Sequence, residues 1–316
     1  MKIGLKKRLP GYATVAVAAS LALSACSAGS ANVPGTAGTP PTGPAGTESI
    51  VKSAPVATAE LLIPGSTMEA IKKRGVLRVA AALDAPLLSQ QDPTNPENVA
   101  GFDATLAKML ATYILGEPKI EIVPPASETR EALLSNGTVD VVFNTYTITE
   151  KRAEQISFAG PYFNSGLAVA VKSDNNTIKG IEDLSGKTVI VGANTPAVTA
   201  VPAKQPTAKL VDFATDPQAV QALLQGRGDA YVQDYTLLAS DAATEKRMKV
   251  VGQPFTVESY GIGLKHNDTA FKSFINTWLQ TIQKNGQWGQ VWEATLGTVV
   301  ESDKPQPPVI GSVPGS

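Results

Sequence analysis

Arginine, threonine and aspartate recur in this chain at one kind of place, where a strand-like run gives way to a helix start. In NGTVDVVFNTYTITEKRAEQISFAGPYF, residues 136–163, Val139, Val141, Val142 and Phe143 form an apolar run after the turn residue Gly137. β-Branched and aromatic residues in such a run predict a buried strand. Thr147-Ile148-Thr149 then leads into Glu150-Lys151-Arg152, a hydroxyl N-cap before a charged first turn. Arg152, three residues past the cap, lies beside free backbone N–H groups and the positive end of the helix dipole, which suits a carboxylate or phosphate. The alternative is a solvated helix charge. A second such place is Val191-Gly192-Ala193-Asn194-Thr195-Pro196, read as strand, turn, hydroxyl cap and proline at the first helical position. It would leave the N–H groups of Ala197 and Val198 open to an anion. A third, Ser127-Glu128-Thr129-Arg130, sets an arginine in the first turn of a capped helix, where an exposed arginine is the other reading. Asp234 ends the run Asp229-Ala230-Tyr231-Val232-Gln233-Asp234, as a ligand carboxylate or as a helix cap.

The elements that must position these groups alternate. Strands are expected at 76–82, 119–123 and 139–143, with a helix at 103–115 whose Leu106, Met109, Leu110, Tyr113 and Ile114 share one face. A second set follows, with strands at 167–171, 188–191, 209–213, 230–232 and 249–251 and helices at 217–224 and 235–243. A strand at 261–264 and a helix at 269–284 close it. Such βα alternation implies parallel sheets, and a folded region of 67–302 suits two lobes better than one open sheet. Strand ends that meet helix starts are where such sheets hold ligands.

Lys2, Lys6, Lys7 and Arg8 precede an apolar run from Tyr12 to Leu23, the pattern of a secretory signal over 1–25. Leu23-Ser24-Ala25-Cys26 resembles a bacterial lipobox, with Cys26 as the lipidated mature N-terminus. Cys26 is the single cysteine of 316 residues, so no disulfide forms within one chain and no cysteine metal site or nucleophile remains. Removing the leader takes the net charge from −1 to −5, with no basic stretch to attract nucleic acid. Residues 26–66, rich in Gly, Pro, Ala, Ser and Thr, read as a lipid-bearing flexible linker, and 303–316 as a flexible tail. The sole histidine, His266, falls in the polar run Lys265-His266-Asn267-Asp268, which argues against a Ser–His–Asp triad or a histidine-ligated zinc. No cofactor or metal is expected.

The combination of Gly137-Thr138-Val139-Asp140, Thr147-Ile148-Thr149, Arg152 and Pro161-Tyr162-Phe163 resembles the solute-binding proteins of polar amino-acid ABC importers, solute-binding family 3, from about Gly75 to Gly297. That resemblance implies the two-lobed periplasmic-binding-protein fold of type II, with the ligand in the cleft between lobes. Lobe 1 would comprise 67–162 plus 262–302 and lobe 2 167–257, with crossings near 162–166 and 257–261. Gly101-Phe102-Asp103 resembles the family's entry to its first-lobe helix, with Asp103 as N-cap. The resemblance assigns the α-carboxylate of an L-amino acid to Arg152, helped by Thr147 and, from the second lobe, Thr195. It gives the α-ammonium to Asp234 and makes Asp84 and Thr145 pocket candidates; Asp84 reads equally well as a turn residue. Arg130 resembles the arginine of the glutamate/aspartate branch that meets the side-chain carboxylate. Leu87 and Ala126 stand where glutamine and basic amino-acid binders carry aromatics, and Gly192 replaces a basic residue of some relatives. Tyr146, Phe163 and Gln233 line the pocket or fill the core. The implied protein is an exported, lipid-anchored, monomeric binder of glutamate or aspartate, then glutamine or asparagine, whose partner is a membrane permease. Two alternatives remain: an amino-acid sensor for a membrane partner, and an enzyme like the cyclohexadienyl dehydratases.

Overall fold

The computed structural model of the chain describes residues 46–300 and 304–316. Its first run of elements is α1 (Glu48–Lys52), α2 (Thr67–Arg74), β1 (Leu77–Ala80), β2 (Asp84–Ala85), β3 (Ser89–Gln91), β4 (Val99–Ala100), α3 (Phe102–Leu115), β5 (Ile120–Val123), α4 (Arg130–Ser135), β6 (Val141–Val142), α5 (Glu150–Ala153) and β7 (Ser157–Ser165). The second is β8 (Leu167–Lys172), β9 (Thr188–Gly192), α6 (Ala197–Lys204), β10 (Lys209–Phe213), α7 (Asp216–Leu224), β11 (Ala230–Asp234), α8 (Tyr235–Thr244) and β12 (Met248–Val251). The chain then adds β13 (Glu258–Leu264), α9 (Thr269–Lys284) and α10 (Gln287–Ala294).

These strands make two five-stranded sheets, ordered β5-β1-β6-β13-β7 and β10-β9-β11-β8-β12, beside a small sheet β2-β3-β4. Each is the centre of one lobe, the type II arrangement. Within the first sheet β1 pairs parallel with β5 and β6, while β13 runs antiparallel to β6 and β7. In the second, β9 pairs parallel with β10 and β11, and β8 antiparallel with β11 and β12. The antiparallel members are the strands on which the chain leaves and re-enters the first sheet. β7 ends at Ser165 and β8 begins at Leu167; β12 ends at Val251 and β13 begins at Glu258.

The first lobe's core is large and aromatic. Phe102, Tyr162, Phe163, Tyr260 and Trp288 contact one another, and Trp288 Nε1 donates to the Tyr162 carbonyl at 2.8 Å. The second lobe instead sandwiches its sheet between two aliphatic clusters, one around Val169, Val189 and Val232, the other around Ile190, Leu223 and Leu238. This follows from strands that are apolar on both faces, the sequence pattern of a doubly covered sheet.

Both sheets are mixed where the βα alternation implied parallel ones, because each takes in strands at which the chain crosses between lobes. Three segments differ from the sequence expectation as well. β7 is a long strand where periodicity gave none, because Pro161 and Gly160 interrupt its pattern. Residues 46–66, expected as part of the flexible linker, carry α1, whose Ile50 and Val51 are buried with Ala54 in the first-lobe core. Gln287 Nε2 fixes its end by donating to the Ser53 carbonyl at 3.0 Å. Residues 304–316, expected as a flexible tail, lie against the same lobe: Ile310 packs on its core and the Gly311 N–H donates to the Gly160 carbonyl at 2.8 Å. Short apolar groups scattered among Gly and Pro leave no periodic signal, yet tertiary packing captures them. No helix among the described residues is long and apolar enough to cross a membrane. The leader and Cys26 lie outside the described residues.

Candidate functional site

Both arginines project from very short helices. α5 has four residues and α4 six, lengths at which a helix has little stability of its own. Side-chain contacts must therefore fix them. Thr149 Oγ1 accepts from the Arg152 N–H at 3.3 Å, the cap read from the sequence. Arg152 is 5 % exposed, which rules out a solvated helix charge. Its Nη1 donates to the Thr147 carbonyl and its Nη2 to the Asn194 carbonyl, each at 2.7 Å. Glu131 Oε1 stands 3.5 Å from Nε, and the Tyr146 ring centroid lies 4.6 Å from Cζ. Asn194 follows β9, so Arg152 reaches from the first lobe to the second.

Arg130 shares that tyrosine, its Cζ 4.5 Å from the ring centroid. It too is buried, 4 % exposed. Nε donates to the Ser127 carbonyl at 3.0 Å and Nη1 to the Asn144 carbonyl at 3.3 Å, while Nη2 is buried without a partner. Burial, with the charge of Arg152 beside it, pushes the Arg130 pKa down to about 9. A buried cation with an unspent donor is costly, and an added anion relieves it. The expected hydroxyl cap of α4 is corrected: Thr129 Oγ1 donates to the Ala126 carbonyl at 2.9 Å and caps nothing.

On the second lobe, Asp234 ends β11 and caps α8. Oδ1 accepts from the Thr236 N–H at 2.9 Å and its hydroxyl at 2.7 Å, whereas Oδ2 is buried with no partner. The cap uses one oxygen and leaves the other free, so the cap reading of Asp234 does not exclude the ligand reading. Burial holds the Asp234 carboxyl above the usual carboxylate range. Thr195 departs from its expected cap. Its hydroxyl donates back to the Gly192 carbonyl at 2.7 Å, α6 starts without a side-chain cap, and the Val198 N–H is bonded to the Thr195 carbonyl at 3.2 Å. The turn that carries the hydroxyl's bond has Asn194 at φ 53°. A Cβ at Gly192 would come within 2.9 Å of Gln233 Nε2 and Thr195 Cγ2, so a side chain there would have to displace one or both of them.

Asp103 is likewise not a cap. α3 begins at Phe102 behind Gly101. Asp103 instead accepts from the Thr145 N–H at 3.0 Å and the Tyr162 hydroxyl at 2.8 Å, and burial raises its pKa to about 6. It holds Thr145 at φ 43°, a left-handed conformation that a β-branched residue adopts only when its surroundings impose it.

All seven expected ligand residues (Asp84, Arg130, Thr145, Thr147, Arg152, Thr195 and Asp234) line one cleft of about 190 Å³ between the lobes. That space suits a single small molecule. Gln233 lines it as well; Phe163 belongs to the aromatic core and Tyr146 lies beneath the arginines. Sequence reasoning missed Glu258, Asn144 and Asp216 on its wall. Asp216, at the start of α7, accepts from the Tyr231 hydroxyl at 2.7 Å, and burial pushes its pKa up to about 6. The signal was present in Thr215-Asp216-Pro217, a strand end before a helix-opening proline.

The sequence profile of a family described as bacterial extracellular solute-binding proteins, family 3, matches residues 77–297. The chain is 32 % identical over 229 residues to the ABC transporter glutamine-binding protein GlnH of Bacillus subtilis, covering 72 % of this chain and 83 % of that one. It is 32 % identical over 249 residues to the glutamate-binding protein GluB of Corynebacterium glutamicum, covering 74 % and 83 %. Among solved structures, an ancestral amino acid-binding protein described as a precursor of cyclohexadienyl dehydratase superposes with a TM-score of 0.66 at 32 % identity, over 73 % of this chain and 100 % of the other.

Proposed function

The chain belongs to the bacterial extracellular solute-binding proteins of family 3, and from that premise we propose that it captures one free L-amino acid between its lobes. One observation carries the reading: two buried polar atoms of opposite kind, Arg130 Nη2 and Asp234 Oδ2, have no partner, and both residues line the same cleft. An acidic amino acid carries an ammonium for Asp234 and, at the end of its side chain, a carboxylate for Arg130, which is the complement of this pair. Arg152 with Thr147 and Thr195 takes the α-carboxylate, Asp234 the α-ammonium, and Arg130 the far end of the side chain. Asp84 and Thr145 close the wall around it. Glutamate and aspartate are preferred over glutamine and asparagine, because a second guanidinium gains a charge-assisted bond only from a carboxylate. The lobes turn on the two strand connections at 165–167 and 252–258, a hinge closure around the ligand.

The protein binds and does not catalyse. Two of its raised cleft carboxyls are already committed, Asp103 to the Thr145 N–H and the Tyr162 hydroxyl and Glu258 to the Thr256 hydroxyl, and the free oxygen of Asp234 is assigned to the ligand ammonium. Delivery to a membrane permease is supported by the name of one relative, an ABC transporter glutamine-binding protein. Loss of labelled glutamate uptake in cells lacking the protein checks that step; unchanged uptake points to a signalling partner. Calorimetry with the twenty amino acids tests the binding itself. Glutamate or aspartate binding tightest supports the reading, and no heat with any of them overturns it. Arg130→Ala is expected to weaken glutamate by about 1–2 kcal/mol more than glutamine, the margin of a charge-assisted over a neutral bond. Equal losses remove Arg130 from selectivity.

A further inference from the structure

Residues 304–316 lie beyond the span matched by the family profile, and they touch the first lobe along a defined path. Lys304 Nζ pairs with Glu293 at 2.8 Å, and the Pro308 carbonyl accepts from Gln283 Nε2 at 3.2 Å. The Gly311 N–H donates to the Gly160 carbonyl on β7 at 2.8 Å. Past that bond, Val313 packs on a buried cluster whose members include Tyr146, Ile148, Ile156 and Phe158, and Ala153 of α5 packs on the same cluster. Gly315, at φ +90°, comes so close that a Cβ there would stand 2.9 Å from Ala153 Cβ and 3.5 Å from Ile148 Cγ2. The segment thus ends on the outer side of α5, against the residue that follows Arg152 and the residue between Thr147 and Thr149.

We infer that residues 304–316 are a positioning element of the binding site, clamping α5 from outside so that Arg152 keeps its aim into the cleft. The inference rests on the reading that Arg152 anchors the ligand. A four-residue helix closes too few hydrogen bonds to hold itself. Its inner face is fixed by Thr149 and by the bonds of Arg152; this segment supplies the apolar contact on the other face. The side chain of Val313 and the absence of one at Gly315 are what the contact requires.

Hydrogen–deuterium exchange on the otherwise full chain tests this without any ligand, comparing the wild type, a chain ending at Lys304, Val313→Asp and Val313→Ile. The amides of Arg152, Ala153, Glu154, Gln155 and Ile156, all bonded within α5 and its exit, are expected to exchange roughly tenfold faster in the truncated and Asp forms, with β1 and β9 unchanged and Val313→Ile like wild type. L-Glutamate affinity by calorimetry is expected to fall by a similar factor in the same two forms. Added peptide of sequence 305–316 is expected to restore the truncated form. Unchanged exchange at 152–156 in Val313→Asp overturns the inference, even if the truncated form fails to fold. If the wild type binds no glutamate while the exchange difference appears, the clamp stands and the ligand reading fails.

Discussion

Arg130 and Arg152 ride on helices of six and four residues, whereas Asp234 sits between a strand buried at every position and a ten-residue helix that it caps. One wall of the cleft is held by side-chain contacts and the other by backbone. Arg152 spends two of its five donors on carbonyls, and Arg130 and Arg152 share one tyrosine ring. Asp234 needs none of this, because two hydrogen bonds from Thr236 fix it. Positive charge at this site is placed by tertiary structure and negative charge by local structure, so damage to the two walls has different consequences.

The largest expected effect is on the arginine wall. Arg152→Ala removes the proposed carboxylate anchor and strands Glu131, at a cost of about 3–5 kcal/mol in binding for every amino-acid ligand, read by calorimetry. Retained micromolar binding would break the comparison. Next is Asp234→Asn. Its amide oxygen can still accept from Thr236, so the melting temperature changes little while binding weakens by about 2–3 kcal/mol, the value of a hydrogen bond to a charge. Asp234→Ala is expected to lose about 1 kcal/mol of stability besides, for the missing cap. If Asn and Ala melt alike, the division of labour between the two oxygens is wrong.

The smallest effect concerns pH and belongs to the carboxylate wall. Asp216 is held at about 6 by burial, and Asp241 is raised by burial and by the charge of Asp216. Raised carboxyls bind protons in the folded state that the unfolded chain has released. Stability from Asp216 is therefore fully present below about pH 4 and is lost as pH rises through about 6, and Asp241 extends the loss to higher pH. Asp216→Asn is expected to flatten that decline by on the order of 1–2 kcal/mol, seen in urea midpoints at pH 5 and 7. An unchanged slope would show that the pair does not titrate in this range.

How much of this the sequence showed depends on range. The βα alternation, the Thr149 cap and the strand end at Asp234 are local patterns and were legible. The roles of Asp103, Thr129 and Thr195 were not. Each has a cap-like position, but its oxygen was claimed by a partner that only the fold brings near, or by a turn whose φ the sequence did not declare. α1 and residues 304–316 were misread for a related cause: three or four apolar side chains among Gly, Pro and Ser look like linker until a core is there to receive them. Residue-by-residue transfer from the family found the cleft, and it missed Asp216, which no ligand motif marks.

The bond from Arg152 to the Asn194 carbonyl consists entirely of protein atoms and spans the cleft. A hydrogen bond to a charged group contributes about 1.5–3 kcal/mol, so it alone shifts the balance of shut over open by roughly ten- to a hundredfold. A ligand can move a two-state balance only by its preference for one state. The bond therefore favours shut but empty molecules by that factor, and a membrane partner that read shape alone would not tell them from loaded ones.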